Sequence, residues 1–155
     1  MFTGGSSSSS ATTTNVDIYN SSLSKTIGAA MTTSHWIGAS TTIGAYGLIG
    51  GGMTGGTSSS NKTSNVDAYN MALTKISSVT ALSTSKYGLA AGSNGAYAIF
   101  SGGYDGSSYF TSVDAYNTSL TKTTSTLSKP HAYHTSTKIG DYVLIVGGSN
   151  SEYVA

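Results

Sequence analysis

The chain's 155 residues suit one domain, but the composition is unusual: 37% hydrophobic, only 8% charged, with 29 Ser, 23 Thr, 20 Gly and no Arg, Gln or Cys. Zero Cys excludes a disulfide framework, a thiolate nucleophile and a Cys-ligated zinc, and seven Lys set singly along a chain of net charge +1 make no basic stripe for nucleic acid. Aromatic residues at 10%, regularly spaced, argue against disorder, and no apolar run approaches the roughly 20 residues that span a bilayer.

Met1-Phe2-Thr3-Gly4-Gly5 lacks the charged start and apolar core of a signal peptide and reads as the end of a strand closing on a double glycine. A polar loop, Ser6 to Thr14, leads to Val16-Asp17-Ile18-Tyr19-Asn20 and then Leu23-Ser24-Lys25, two expected strands. Ile43-Gly44-Ala45-Tyr46 predicts a tight hairpin, with glycine supplying a positive φ. An apolar stretch then runs into Gly51-Gly52, a loop from Met53 to Ser64, and a second copy of the motif, Val66-Asp67-Ala68-Tyr69-Asn70 with Leu73-Thr74-Lys75. The third copy has Tyr97, Gly102-Gly103, the loop Tyr104 to Thr111, Val113-Asp114-Ala115-Tyr116-Asn117 and Leu120-Thr121-Lys122. Within Val113 to Tyr116 the alternation predicts small apolar residues on one face and Asp and Tyr on the other. Last comes Ile139-Gly140-Asp141-Tyr142, a second hairpin signal, and the buried-strand run Tyr142-Val143-Leu144-Ile145-Val146 before Gly147-Gly148. No segment carries a capped helical period. The expectation is all-β.

A double glycine recurring about every 50 residues, with four strands per period, is the sequence pattern of a kelch blade. The order of apolar strand, double glycine, polar loop, Val-Asp-x-Tyr-Asn strand and Leu-x-Lys strand resembles the kelch repeat family over the whole chain. The resemblance implies β-propeller blades: one over residues 35–79, one over 86–127, and one split between 131–155 and 1–30. The family's usual Arg is absent; His35, Lys86 and His131 hold the matching position, where the resemblance implies that each caps a loop. Propellers have about 4–8 blades, so three leave strand edges open. The simplest closure is a homo-oligomer, a two-fold dimer of six blades; the alternatives are that the chain is a fragment, or that it assembles onto other subunits.

His35, Lys86 and His131 also form a candidate ring of donors at one rim, with Trp36 and Tyr87 as flat apolar surface for a sugar or peptide. The third loop is the one with aromatic anchors, so Tyr104, Asp105 and Tyr109 are the first choice for gripping a partner, with Phe110 beside them. Asp17, Asp67 and Asp114 read as structural acceptors of turn hydrogen bonds. His131 and His134 stand an odd number of residues apart, which on a strand sends them to opposite faces and disfavours a shared metal. Gly50-Gly51-Gly52-Met53-Thr54-Gly55 matches G-x-G-x-x-G but precedes a polar loop, not the helix that a dinucleotide needs. Asn20, Asn61 and Asn117 begin N-x-[ST] triplets, which a third of the chain being Ser or Thr produces by chance.

No catalytic residue, metal or cofactor is expected. The reading is a non-enzymatic structural or binding module of an extracellular, cell or virion surface, with possible glycan or protein ligands; the alternative is a carbohydrate-active kelch-type enzyme. The enzyme would need two carboxylates in one pocket. The chain has six, and three hold the repeated Asp position.

Overall fold

The computed structural model describes residues 2–3, 12–55 and 60–150. Twelve strands and no helix occur among them: β1 (Phe2–Thr3), β2 (Val16–Tyr19), β3 (Lys25–Ile27), β4 (Ala39–Ile43), β5 (Tyr46–Gly50), β6 (Val66–Asn70), β7 (Ala90–Ser93), β8 (Ala98–Ser101), β9 (Ser112–Tyr116), β10 (Lys122–Thr126), β11 (Thr135–Ile139) and β12 (Tyr142–Val146). They form four antiparallel sheets in chain order, here called units: β1-β2-β3, β4-β5-β6, β7-β8-β9-β10 and β11-β12, none of them closed. The innermost strands stack, β4 against β7 and β7 against β11.

The second and last units start with a two-residue hairpin. Ile43 pairs with Tyr46 and Ile139 with Tyr142, and Gly44 and Gly140 take φ of 52° and 54°, a region closed to most side chains. The next hairpin was not anticipated. Asn20, Asn70 and Asn117 each use the side-chain oxygen to accept backbone N–H groups of the turn, as from Ser22 and Ser24 at 2.9 Å, and Leu23, Leu73 and Leu120 close it at φ near +60°. The leucine of Leu-x-Lys is therefore a turn residue, and the strand begins at the lysine.

The double glycines have two distinct duties. The second of each pair (φ 103°, 106° and 98° at Gly52, Gly103 and Gly148) admits a backbone carbonyl of its own unit. A Cβ there would come within 2.7 Å of Trp36 O at Gly52 and 2.6 Å of Ala132 O at Gly148. The first glycine admits the following unit: a Cβ on Gly51 would lie 2.9 Å from Lys86 O.

The main core lies between the second and third units: Ile43, Leu48, Val66, Leu82, Leu89, Phe100 and Tyr116. Phe100 meets Tyr116 edge to face, ring centres 5.9 Å apart, and full burial of one such side chain contributes roughly 1.5–3 kcal/mol. A smaller cluster, Val16, Ile18, Met31, Ile49 and Tyr69, joins the first unit to the second. Val113, Asp114, Ala115 and Tyr116 are buried on both faces, not on one, because β9 sits between neighbours on each side. The outermost strand of residues 35–79 reduces to a single bridge, Tyr69 to Lys75. The loop from Ser6 to Thr14 is described only from Thr12, and Gly4-Gly5 and 151–155 lie outside the described residues.

Candidate functional site

Three lead-in segments precede the innermost strands: 35–38, 86–89 and 131–134. Each pairs with the residue after its double glycine through two backbone bonds of 2.8–3.0 Å: Trp36 with Met53, Tyr87 with Tyr104, and Ala132 with Ser149. Lead-in and variable loop are thereby fixed side by side at one rim. A further bond runs from unit to unit along that rim, Gly88 N–H to Ile37 O at 3.0 Å and Tyr133 N–H to Gly88 O at 2.6 Å. Ile37, Gly88 and Tyr133 occupy equivalent places, all left-handed (φ 54°, 63° and 57°). For a β-branched Ile and a Tyr this conformation is strained, and it persists because the two bridges on either side over-determine it.

The consequence is a tyrosine platform. Tyr87 is buried beneath Tyr104 (centres 5.7 Å, 77°) and Tyr133 (6.3 Å, 64°), and Tyr109 lies 4.6 Å from Tyr104 at a 35° tilt. The Tyr133 ring lies across Gly88, where any side chain would collide with it, and it is 53% exposed. Burial and then Tyr87 push the Tyr133 hydroxyl up to about 12; lost hydration and then Tyr87 and Tyr109 raise Tyr104. Both rings therefore stay neutral donors through the physiological range. Asp105 borders them. Its Oδ1 accepts the N–H groups of Ser107 and Ser108, both at 2.8 Å, which hold its carboxyl below the usual range. Lys62, from the loop of the preceding unit, donates to Asp105 O at 2.8 Å.

The rim donors are placed differently from the expected ring. Lys86 is fully buried: its ammonium reaches Ser112 Oγ at 2.8 Å and Asp114 Oδ2 at 3.5 Å, so it binds its own unit's third strand. Burial lowers its pKa against the pull of Asp114. His35 is likewise buried, its pKa lowered by burial against Asp67. Trp36 is half-buried and lines a cleft of about 190 Å³ with Gly38, Ser40 and Ile49. His131 and His134, expected on opposite faces, meet at 4.4 Å, because the left-handed Tyr133 between them breaks the strand alternation. His134 is buried with Nε2 3.0 Å from Ser101 Oγ, and burial followed by His131 takes it down to about 4. No group of three His, Cys, Asp or Glu able to hold a metal occurs among the described residues.

Asp67 and Asp114 are not turn acceptors. Each grips the residue three places before its own unit's lead-in, from 31–35 residues away: Asp67 takes the Thr32 N–H (2.8 Å) and hydroxyl (2.5 Å), Asp114 the Ser83 N–H (3.0 Å) and hydroxyl (2.5 Å). Lys75 and Lys122 reinforce these clasps through Ala30 O and Ala81 O, both at 2.9 Å. Turn acceptance belongs to Asn20, Asn70 and Asn117. Their recurrence beside Tyr was the available signal; for Tyr133 there was none, since Ile37 and Gly88 hold the same place.

No family model matches this chain, and no curated protein matches it. Among solved structures it is similar to the "Structure of YjhT", with a TM-score of 0.72 at 17% identity over 90% of this chain and 46% of that one. The likeness speaks for the fold alone. The chain spans about half the length of that structure.

Proposed function

We propose that the chain is a run of kelch-like propeller blades acting as a binding module on an exposed cell or particle surface, with the tyrosine platform as its ligand site and neutral glycan as its ligand class. The observation that carries this reading is the convergence of Tyr104, Tyr109 and Tyr133 over Tyr87, beside a charged Asp105. Stacked aromatic faces take the apolar side of a sugar ring, and neighbouring neutral hydroxyls and a carboxylate take its hydroxyl groups. A Ser/Thr surface with few charges fits repeated, reversible contact with uncharged polar ligands. No helix among the described residues is long and apolar enough to cross a membrane. Catalysis has less support: Asp67 and Asp114 are spent on internal clasps and Asp105 on its own loop.

The test is an array of neutral and acidic oligosaccharides probed with the labelled chain. Binding to a neutral subset, weakened about tenfold or more by Tyr133→Ala and by Tyr109→Ala, is the expected result. No glycan retained at millimolar affinity, or retention unchanged in both variants, sinks the proposal.

A further inference from the structure

Contacts made twice inside the molecule are each left open at its two ends. The clasp is one. Asp67 holds Thr32 and Asp114 holds Ser83, and in both the aspartate is buried. The equivalent Asp17 has 44% of its side chain exposed and only Lys25 at 3.8 Å. The hydroxyl equivalent to Thr32 and Ser83 is Ser128, which is exposed near the other end of the chain. The double glycine is another. A Cβ on Gly51 meets the following unit's Lys86 O and one on Gly102 meets His131 O, whereas one on Gly147 meets nothing within 4 Å.

Packing repeats the pattern. Ile43 and Leu48 are 1% and 0% exposed, but their equivalents Ile139 and Leu144 are 61% and 41%; Tyr69 and Tyr116 are 2% and 0%, but Tyr19 is 41%. The cleft beside Trp36 opens along Ile49, whose neighbours Val16 and Ile18 belong to the first unit, so it lies at that same incomplete seam. The first unit has outer strands without an inner pair; the last has an inner pair without outer strands.

We infer that a second copy of this chain completes both: its β11-β12 hairpin takes the place of β1 beside β2, and its Ser128 enters the Asp17 clasp. The inference rests on the blade reading above. Register follows from the complete units, where β5 opposite β6 pairs Tyr46 with Asn70 and Gly50 with Val66. By equivalence, Tyr142 of the partner subunit faces Asn20, the partner's Leu144 faces Ile18, and the partner's Val146 faces Val16. The partner's Gly147 then admits His35 O, as Gly51 admits Lys86 O. Because the donating and accepting ends differ, the contact is head to tail, and it closes after two copies if each spans half a ring. In the single chain β1 sits on β2 opposite Asp17 and Val16, two positions against the five that β12 offers. Closure therefore exchanges β1 for the partner's β12, and Ile18 to Asn20 lie beyond the reach of β1.

The chain has no Cys, so a disulfide can report this register directly. Ile18→Cys and Leu144→Cys are purified separately, mixed and oxidised, and the mass of the unmodified chain is measured by light scattering. A single species of twice 15.7 kDa, with a covalent dimer forming in the mixture and not in Ile18→Cys mixed with Lys138→Cys, is the expected outcome. Asp17→Ala, which alters an exposed side chain and should leave the circular dichroism spectrum unchanged, is expected to raise the dimer dissociation constant at least about tenfold. A monomer at 100 μM, an open-ended polymer, or a dimer without the 18–144 bond overturns the inference. A monomer in which one chain carrying both cysteines bridges within itself also overturns it, but leaves the blade reading standing. Glycan binding is read separately and does not enter either result.

Discussion

Several side chains that carry charge in water are held in this protein where water is scarce. Lys86 and Asp114 are sealed together, an arrangement whose Coulomb gain is largely offset by desolvation and which serves chiefly to fix one geometry. His134 has no such counter-charge. Its folded pKa of about 4 lies below the ordinary 6.5, so between those values the unfolded chain holds a proton that the folded chain does not. Stability should therefore be complete above about pH 6.5 and fall as pH drops toward 4, by up to about 3 kcal/mol. His35, lowered by burial too, adds in the same direction. Urea melts at pH 7.5 and 4.5 check this: His134→Gln should shrink the difference between the two midpoints, and an unchanged difference refutes the assignment. That a cation stood at position 86 was legible from the repeat. Its inward direction was not, because the repeat fixes a residue's place in a unit and leaves open whether the charge finds its partner inside.

At the level of the element, the Asn-x-x-Leu turn is the most regular device in the chain, and it sets three leucines in a conformation that costs L-residues roughly 1–2 kcal/mol. Leu120 recovers the cost by packing on the main core, whereas Leu23 is 79% exposed. Leu23→Gly should thus raise the urea midpoint, by about 0.5 kcal/mol after the added freedom of the unfolded chain, and Leu120→Gly should lower it. A lowered midpoint in Leu23→Gly would show that the turn is not strained. The hairpins at Gly44 and Gly140 were readable because a glycine between two apolar runs has few other uses. The asparagine turn was not legible because its left-handed position is held by Leu23, Leu73 and Leu120, and leucine is no signal of a positive φ. The Asp clasp was missed for a different reason: its donors are 31–35 residues away, and no local pattern encodes a bond of that span.

For the molecule as a whole, the all-β character and nearly every strand could be read from the period of the double glycine and the Val-Asp-x-Tyr-Asn motif. The tyrosine platform was half legible. Tyr104 and Tyr109 announce themselves as aromatic anchors in a variable loop, with Asp105 beside them, while Tyr133 joins them only because the rim hydrogen bonds carry the last unit's lead-in across the preceding unit's glycine. The clasp has a further consequence. Since Ser83 precedes its unit and Asp114 lies on that unit's third strand, the bond between them ties each unit to the segment before it. A circular permutant that starts at residue 31 and carries 1–30 after residue 155 would contain every sheet intact, and the cysteines at 18 and 144 would bridge within one chain.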